Sequence, residues 1–313
     1  MTSILSAKHF HDEKAAYAFV ERHVWPNGPV CPHCGCFGRI YELKGASTRT
    51  GVRKCGDCRK PFTVKVGTIF EASNMKLHLW LQAIFLLCSS KKGFSANQLH
   101  RTLGVSLKTA WFVGHRIREA MRDGELAPFG VGGGIVEIDE TYQGHNPDAR
   151  TDVKRKNWLQ KNAVLTLVDR DSGRARSMVV DGLNAAKIAD ILSENVAKEA
   201  RLRTDEARFY ITPARAYAEH GVVAHGRDEY VSLTDPTVHT NTVEGYYSIF
   251  KRGMRGVYQH CAKRHPHRYA AEFDFRYSNR VALGVNDLER ASRALSGIVG
   301  KRLKYRDSLA AAV

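Results

Sequence analysis

Val136-Glu137-Ile138-Asp139-Glu140-Thr141 is the stretch from which the C-terminal half of this 313-residue chain is read. Val136 and Ile138 alternate with Glu137 and Asp139, the two-residue period of a strand with one apolar and one acidic face. The apolar face belongs to a core. The acidic face has to serve something else.

Working outward, residues 163–168 and 175–180 read as two further strands around a turn at 169–173, in which Asp169 and Asp171 are turn formers beside Ser172-Gly173. Asn184 caps an expected helix to about residue 200, with Ile188, Ile191, Leu192 and Val196 on one face. A strand at 201–204, a helix at 213–220 and a strand at 222–224 follow. Three strands, helix, strand, helix, strand is the order of an α/β ribonuclease-H-like mixed sheet flanked by helices. Asp205 directly follows the fourth strand, so neighbouring first and fourth strands bring Asp139 and Asp205 out at one sheet edge. Two hard oxygen donors there can share a pair of magnesium ions once a third carboxylate joins them.

That third acid is sought in His239-Thr240-Asn241-Thr242-Val243-Glu244-Gly245-Tyr246-Tyr247-Ser248-Ile249-Phe250-Lys251. At helical spacing Val243, Tyr247, Phe250 and Met254 form an apolar stripe, while Asn241, Glu244, Ser248, Lys251 and Arg255 share another face. Glu244 can hold metal with Lys251 two turns on, meeting a phosphate. Asn241 and Glu244 also form a good capping pair, which explains both without catalysis but leaves Lys251 unexplained. Glu137 is expected to be solvated or ion-paired, and His239 to polarise a phosphate or order the helix start.

Upstream, Cys31-Pro32-His33-Cys34 and Cys55-Gly56-Asp57-Cys58 have the spacing of a tetrahedral zinc site on two knuckles, with Cys36 beside the first pair. Structural disulfides are the competing reading. A helix over 10–25 ends at Pro26-Asn27-Gly28, and the ribbon spans 30–66 with strand-like stretches at 39–43 and 62–66. A helix over 77–89 follows; its apolar run, 77–88, is too short to span a bilayer. Ser95 and Ser106 cap two helices separated by Gly104, with Ala96, Leu99, Leu103, Ala110, Val113 and Ile117 inward and Lys108, Thr109, His115, Arg116 and Arg118 elsewhere. This is a helix-turn-helix pattern. Gly130-Val131-Gly132-Gly133-Gly134 reads as a flexible joint, since no Gly-Lys-Ser/Thr follows to make a phosphate loop.

The chain carries 48 basic against 32 acidic residues, a formal charge of +16, spread along its length. That favours a polyanion, nucleic acid ahead of an anionic membrane. The first thirty residues lack the apolar core of a signal peptide, and Cys88 and Cys261 have no close partner in sequence. A reducing, cytoplasmic setting is expected.

Cys31-Pro32-His33-Cys34-Gly35, Gly67-Thr68-Ile69-Phe70, Val136 to Tyr142, His239 to Gly245 and Glu272-Phe273-Asp274-Phe275-Arg276-Tyr277 together resemble bacterial insertion-sequence DDE transposases of the ISXO-like subgroup, in order and over nearly the whole chain. Pro266 departs from that pattern, standing where an apolar helix former is expected. The resemblance implies domains at 1–28 (helix), 29–70 (zinc ribbon), 71–129 (helix-turn-helix region), 130–295 (catalytic) and 296–313 (tail). It implies a catalytic triad of Asp139, Asp205 and Glu244 holding two magnesium or manganese ions, with Lys251 as the basic residue seven positions on and Asn241 an open alternative as metal-facing residue. The implied activity is metal-dependent strand cleavage and strand transfer at insertion-sequence ends, by an oligomer acting on double-stranded DNA at the nucleoid. Lys108, Thr109 and Arg116 would read or clamp the terminal repeats, and the loop 150–161 with Lys251, Arg252 and Arg255 would hold backbone phosphates. Tyr269, Phe273, Phe275 and Tyr277 are expected in the core. A zinc-dependent DNA-binding regulator and a nuclease without strand transfer are the rival readings.

Overall fold

Two capping interactions and one long apolar helix organise the N-terminal part of the computed structural model, which describes residues 3–122, 127–144, 161–227 and 230–304. Contacts divide the chain into two units: Met1–Ser90, Phe94–Arg122 and Val285–Val313 form the first, Lys91–Gly93 and Asp123–Gly284 the second. The expected basic loop at 150–161 lies almost entirely outside the described residues, as does the end of the tail.

In the first unit, Asp12 caps α1 (Glu13–Val24) by accepting from the Ala15 N–H at 2.7 Å. Three short strands follow, β1 (Ile40–Glu42), β2 (Arg53–Cys55) and β3 (Pro61–Phe62), antiparallel in that order. The Glu13 carboxylate accepts from the first N–H of α2 (Leu77–Ser89) at 2.8 Å. Leu77, Trp80, Leu81, Ile84, Leu87 and Cys88 of α2 are all buried, so the apolar run is a core helix.

The Ser95–Gln98 capping box starts α3 (Ala96–Leu103), and Gly104 ends it in the left-handed region at φ +64°. Ser106 then caps α4 (Leu107–Met121). Leu99, Leu103, Ala110, Val113 and Ile117 point into the core as expected. So do His115, Arg116 and Arg118, which the sequence reading set apart from the inward positions. Helix α9 (Asp287–Ser296), placed by the sequence in the catalytic region, packs on α2 and α4 in this unit, where Arg290 donates to the Cys88 carbonyl at 2.9 Å.

The second unit is a mixed five-stranded sheet in the order β6-β5-β4-β7-β8. Its strands are β4 (Ile135–Gln143), β5 (Asn162–Asp169), β6 (Ala175–Val180), β7 (Arg201–Asp205) and β8 (Glu219–Val223). β4 pairs antiparallel with β5 and parallel with β7. One face packs Val136, Ile138, Leu165 and Leu167 against α5 (Ala185–Asn195) and α6 (Arg208–Ala214). The other packs Val164 and Val168 against α7 (Asn241–Gly253) and α8 (Pro266–Ser278).

Three elements differ from the sequence reading. The glycine run is no joint: a Cβ on Gly130 would lie 2.4 Å from that of Ala200, and one on Gly134 would lie 2.5 Å from Asp171, so the run is a turn packed at the sheet edge. Helix α5 stops five residues early because Phe129 bonds the chain on both sides of the extended, β-branched Val196. Helix α6 ends one residue after Pro213 instead of starting there, since Tyr210 needs burial on the sheet. Pro266 opens α8 at a position where its missing N–H costs nothing.

Helix α8 is tied to the sheet by polar groups as well as by Tyr269 and Phe273. The Asp274 carboxylate accepts from the Ser177 N–H and hydroxyl, each at 2.7 Å, and from the Tyr246 hydroxyl at 2.6 Å. Burial raises Asp274 to about 6 despite these donors. Tyr277 packs edge-on against Tyr246 with ring centroids 5.2 Å apart; Phe275 is half-buried and lies outside that cluster. Asp274→Ala leaves those donors without an acceptor and is expected to cost roughly 2–4 kcal/mol of stability. Urea unfolding measures it, and a loss below ~0.5 kcal/mol would show that α8 stays docked without this carboxylate.

Candidate active site and metal centre

Parallel pairing of Glu137 with Arg203 sets the register of β4 against β7, and two residues further on Asp139 and Asp205 come level on the same face. Carboxylate oxygens of Asp139, Glu140 and Asp205 lie within 4.8 Å of one another. Burial first, then Glu140, Asp205 and Glu244, pushes Asp139 up to about 7, although the Glu140 N–H donates to it at 2.8 Å. Burial also raises Asp205, opposed by the Ala207 N–H and by His225. Glu140 is raised by burial and Asp205 while the Tyr210 hydroxyl donates to it at 2.6 Å.

Glu244 stands outside that 4.8 Å cluster but faces the same cavity as Asp139, about 400 Å³ in volume, with His225, Tyr247, Ser248 and Lys251 as the other walls. Its carboxylate accepts from the Thr240 hydroxyl at 3.1 Å, and His225 Nε2 lies 3.5 Å away. The helix cap is Thr240, not Asn241; Asn241 is the exposed first helical residue and does not line the cavity. Lys251 Nζ sits 5.5 Å from the Tyr247 ring centre, at the cavity rim.

Sequence reasoning passed over Glu140 and His225. Glu140 was read only as part of a strand, where alternation assigns it to the face opposite Asp139, yet its carboxylate lies within 4.8 Å of those of Asp139 and Asp205. His225 sits in a short helical turn after β8 with no motif to mark it. Glu137 is ion-paired as expected, fully buried against Arg170 at 2.5 Å. His239 Nδ1 accepts from Arg170 and from the Asn241 N–H, so it orders the helix start; burial and Arg170 lower its pKa.

Of the expected DNA contacts, Lys108, Lys251, Arg252 and Arg255 are exposed and Thr109 is half-buried, its N–H bound to the Ser106 hydroxyl. Arg116 is the exception. It is buried and donates to the carbonyls of Leu303 and Glu71 at 3.1 and 2.8 Å, so it closes the core of the first unit.

In the ribbon, the sulfurs of Cys31, Cys34, Cys55 and Cys58 converge within 4.8 Å. Cys31 and Cys58 are 3.7 Å apart and Cys34 and Cys55 3.6 Å. A tetrahedron with ~2.3 Å metal–sulfur bonds has edges of about 3.8 Å, so the thiols fit a zinc ion and are too far apart for disulfides. All seven cysteines are free. N–H groups of Cys58 and Asp57 help hold the Cys55 thiol down to about 6.

Comparison with known proteins identifies the class. Residues 132–278 match the ISXO2-like transposase domain, and residues 11–61 match the transposase zinc-ribbon domain. Together these cover more than half of the chain, which belongs to the ISXO2-like transposase family. An uncharacterized protein in transposable element ISH50 of Halobacterium salinarum is 29% identical over 272 residues, covering 81% of this chain and 88% of its own. A chain of the simian T-cell lymphotropic virus intasome, solved with PP2A regulatory subunit B56 gamma, aligns at a TM-score of 0.30 and 11% identity. That alignment covers 57% of this chain and 63% of the other, too slight a likeness to assign a fold. No helix among the described residues is long and apolar enough to cross a membrane.

The acid cluster has a pH signature. Between the ordinary aspartate value of 3.8 and about 7, folded Asp139 keeps a proton that the unfolded chain has released. The unfolded state then binds fewer protons, so this group makes stability fall as pH rises through that window, by at most ~1.4 kcal/mol per pH unit. Without added divalent ions, wild type is expected to lose more thermal stability than Asp139→Asn between pH 5 and 8. Parallel pH profiles for the two proteins would remove the shift.

Proposed function

We propose that this chain cuts DNA strands at the ends of a mobile element and joins them to target DNA, using the acid-lined cavity of the second unit. The single observation that carries this is the convergence of Asp139, Glu140 and Asp205 within 4.8 Å, with Glu244 and Lys251 on the cavity that Asp139 lines. The all-oxygen donor set fits magnesium or manganese better than a softer ion. Asp139, Asp205 and Glu244 would hold two such ions, which when bound supply Lewis acidity at a phosphodiester and lower the pKa of water. The Lys251 ammonium would meet a phosphate oxygen at the cavity, and His225 with Thr240 would keep the Glu244 carboxylate turned inward. Water is the nucleophile for cleavage, and a freed 3′ hydroxyl is the nucleophile for joining; neither step needs a covalent enzyme intermediate.

The strand order around this site supports a ribonuclease-H-like catalytic domain, and the capped α3–α4 pair supports a helix-turn-helix. Exposed Lys108 on the first turn of α4 would contact the terminal repeats. Lys251, Arg252 and Arg255 would hold phosphates near the acids. Zinc bound to Cys31, Cys34, Cys55 and Cys58 would make the ribbon's fold depend on metal. A regulator needs no such acid cavity, which is why the enzymatic reading is preferred.

Asp139→Asn is expected to abolish manganese-dependent nicking of DNA carrying the element's ends, at least ~100-fold, while leaving DNA affinity within about twofold. Intact DNA with wild type would favour a regulator, and cut ends never joined to target would favour a nuclease. Cys55→Ser is expected to drop zinc from one ion per chain to well below one by atomic absorption; unchanged zinc would refute the four-thiolate centre.

A further inference from the structure

Glu137 is one of the most deeply buried acids of the second unit, and it faces α7 from the central strand, two residues before Asp139. Its carboxylate accepts from the Thr242 hydroxyl at 2.6 Å and from the Val243 N–H at 2.8 Å, both in the first turn of α7. Arg170 binds the same carboxylate at 2.5 Å and donates to the carbonyls of Thr237 and His239 at 2.7 and 2.8 Å, which fixes the chain entering that helix. One turn later the Tyr247 hydroxyl donates to the carbonyl of Asp139 itself at 2.7 Å and to that of Val164 at 3.0 Å. Glu244 lies between these two anchors.

We propose that Glu137 is a positioning residue of the acid site: it clamps the first turn of α7 to β4 and so sets Glu244 opposite Asp139 for divalent metal. The argument rests on the metal-holding role proposed above for Asp139, Asp205 and Glu244. A carboxylate is needed at 137 because both donors of the helix turn and the Arg170 guanidinium converge on it, and only a charged acceptor with two oxygens serves all three. The N-terminal end of a helix also favours an anion at that place. The clamp leaves the Glu244 carboxylate itself uncommitted to the sheet, free to face the cavity. Glu137 does not line that cavity, so its effect on metal passes through α7.

The test uses the full-length, zinc-loaded chain without DNA. Manganese binding is titrated by the electron paramagnetic resonance signal of the free ion, and amide exchange is followed over residues 239–247. Glu137→Gln is expected to weaken manganese binding about tenfold, as loss of a group that orients metal ligands does, and to speed exchange of the Val243 amide. Thr242→Val, which removes one donor and leaves the buried pair intact, is expected to weaken it two- to fivefold and serves if Glu137→Gln fails to fold. Manganese affinity and Val243 exchange unchanged in the folded variants would overturn the clamp and leave the acid site standing. Manganese that binds wild type and Asp139→Asn alike, or binds neither, would overturn the metal reading and the clamp with it.

Discussion

Like charges held side by side by a sheet register are what the second unit has to solve. Once Glu137 pairs with Arg203 across the parallel β4–β7 ladder, Asp139 and Asp205 have no choice of neighbour. Two unit charges at 4.8 Å, the outer bound on the separation of these oxygens, repel by about 3.5 kcal/mol at an effective dielectric of about 20. The chain meets that cost partly by retaining a proton on Asp139 up to about pH 7. A divalent cation meets it better. The repulsion is comparable to a few good hydrogen bonds, so the surrounding fold must hold the strands and α7 in place against it.

That restraint comes from polar groups buried on the same sheet face. Glu137 fastens α7 at its first turn, and Tyr247 fastens it again one turn later. Asp274 does the equivalent for α8 through Ser177 and Tyr246. Apolar packing by Val243, Phe250, Met254 and Phe273 supplies most of the burial, but packing alone tolerates sliding along the helix axis. Buried, satisfied hydrogen bonds do not, because each slip leaves a donor or acceptor unpaired.

Much of this was legible in the sequence. Alternation at Val136-Glu137-Ile138-Asp139 gives both the strand and its acidic side, and the Cys-x-x-Cys pairs give the ribbon's thiol cluster. The apolar stripe of α7 is visible at helical spacing. What was hidden depends on long-range register. Glu140 joins the acids although strand alternation assigns it to the other face, and His225 arrives from a turn after the last strand. The Asn241 cap failed for a similar reason: Glu137 supplies from the sheet the acceptor that a local cap would otherwise provide, so the helix starts one residue earlier in its capping pattern. Helix ends at α5 and α6 were likewise settled by Phe129 and Tyr210, partners far away in sequence.

The net charge of +16 illustrates why burial must be read before charge is assigned to a partner. Among the described residues Arg116, Arg118, Arg176, Arg203, Arg268, Arg276 and Arg290 are buried, and several of them are committed to backbone carbonyls or acids inside their own unit. Such arginines serve the fold as multi-donor ties between loop carbonyls, which a lysine point charge cannot replace. They contribute to the long-range potential but present no donor to a phosphate. The proposed contact with DNA therefore falls to the exposed cations, Lys108 on α4 and Lys251, Arg252 and Arg255 along and beyond α7. Of these Lys251 lines the cavity with Asp139 and Glu244, so a phosphate drawn in by Lys251 would be brought to those acids. Helix α7 thus carries both Lys251, which would attract the backbone, and Glu244, one of the carboxylates that would act on it.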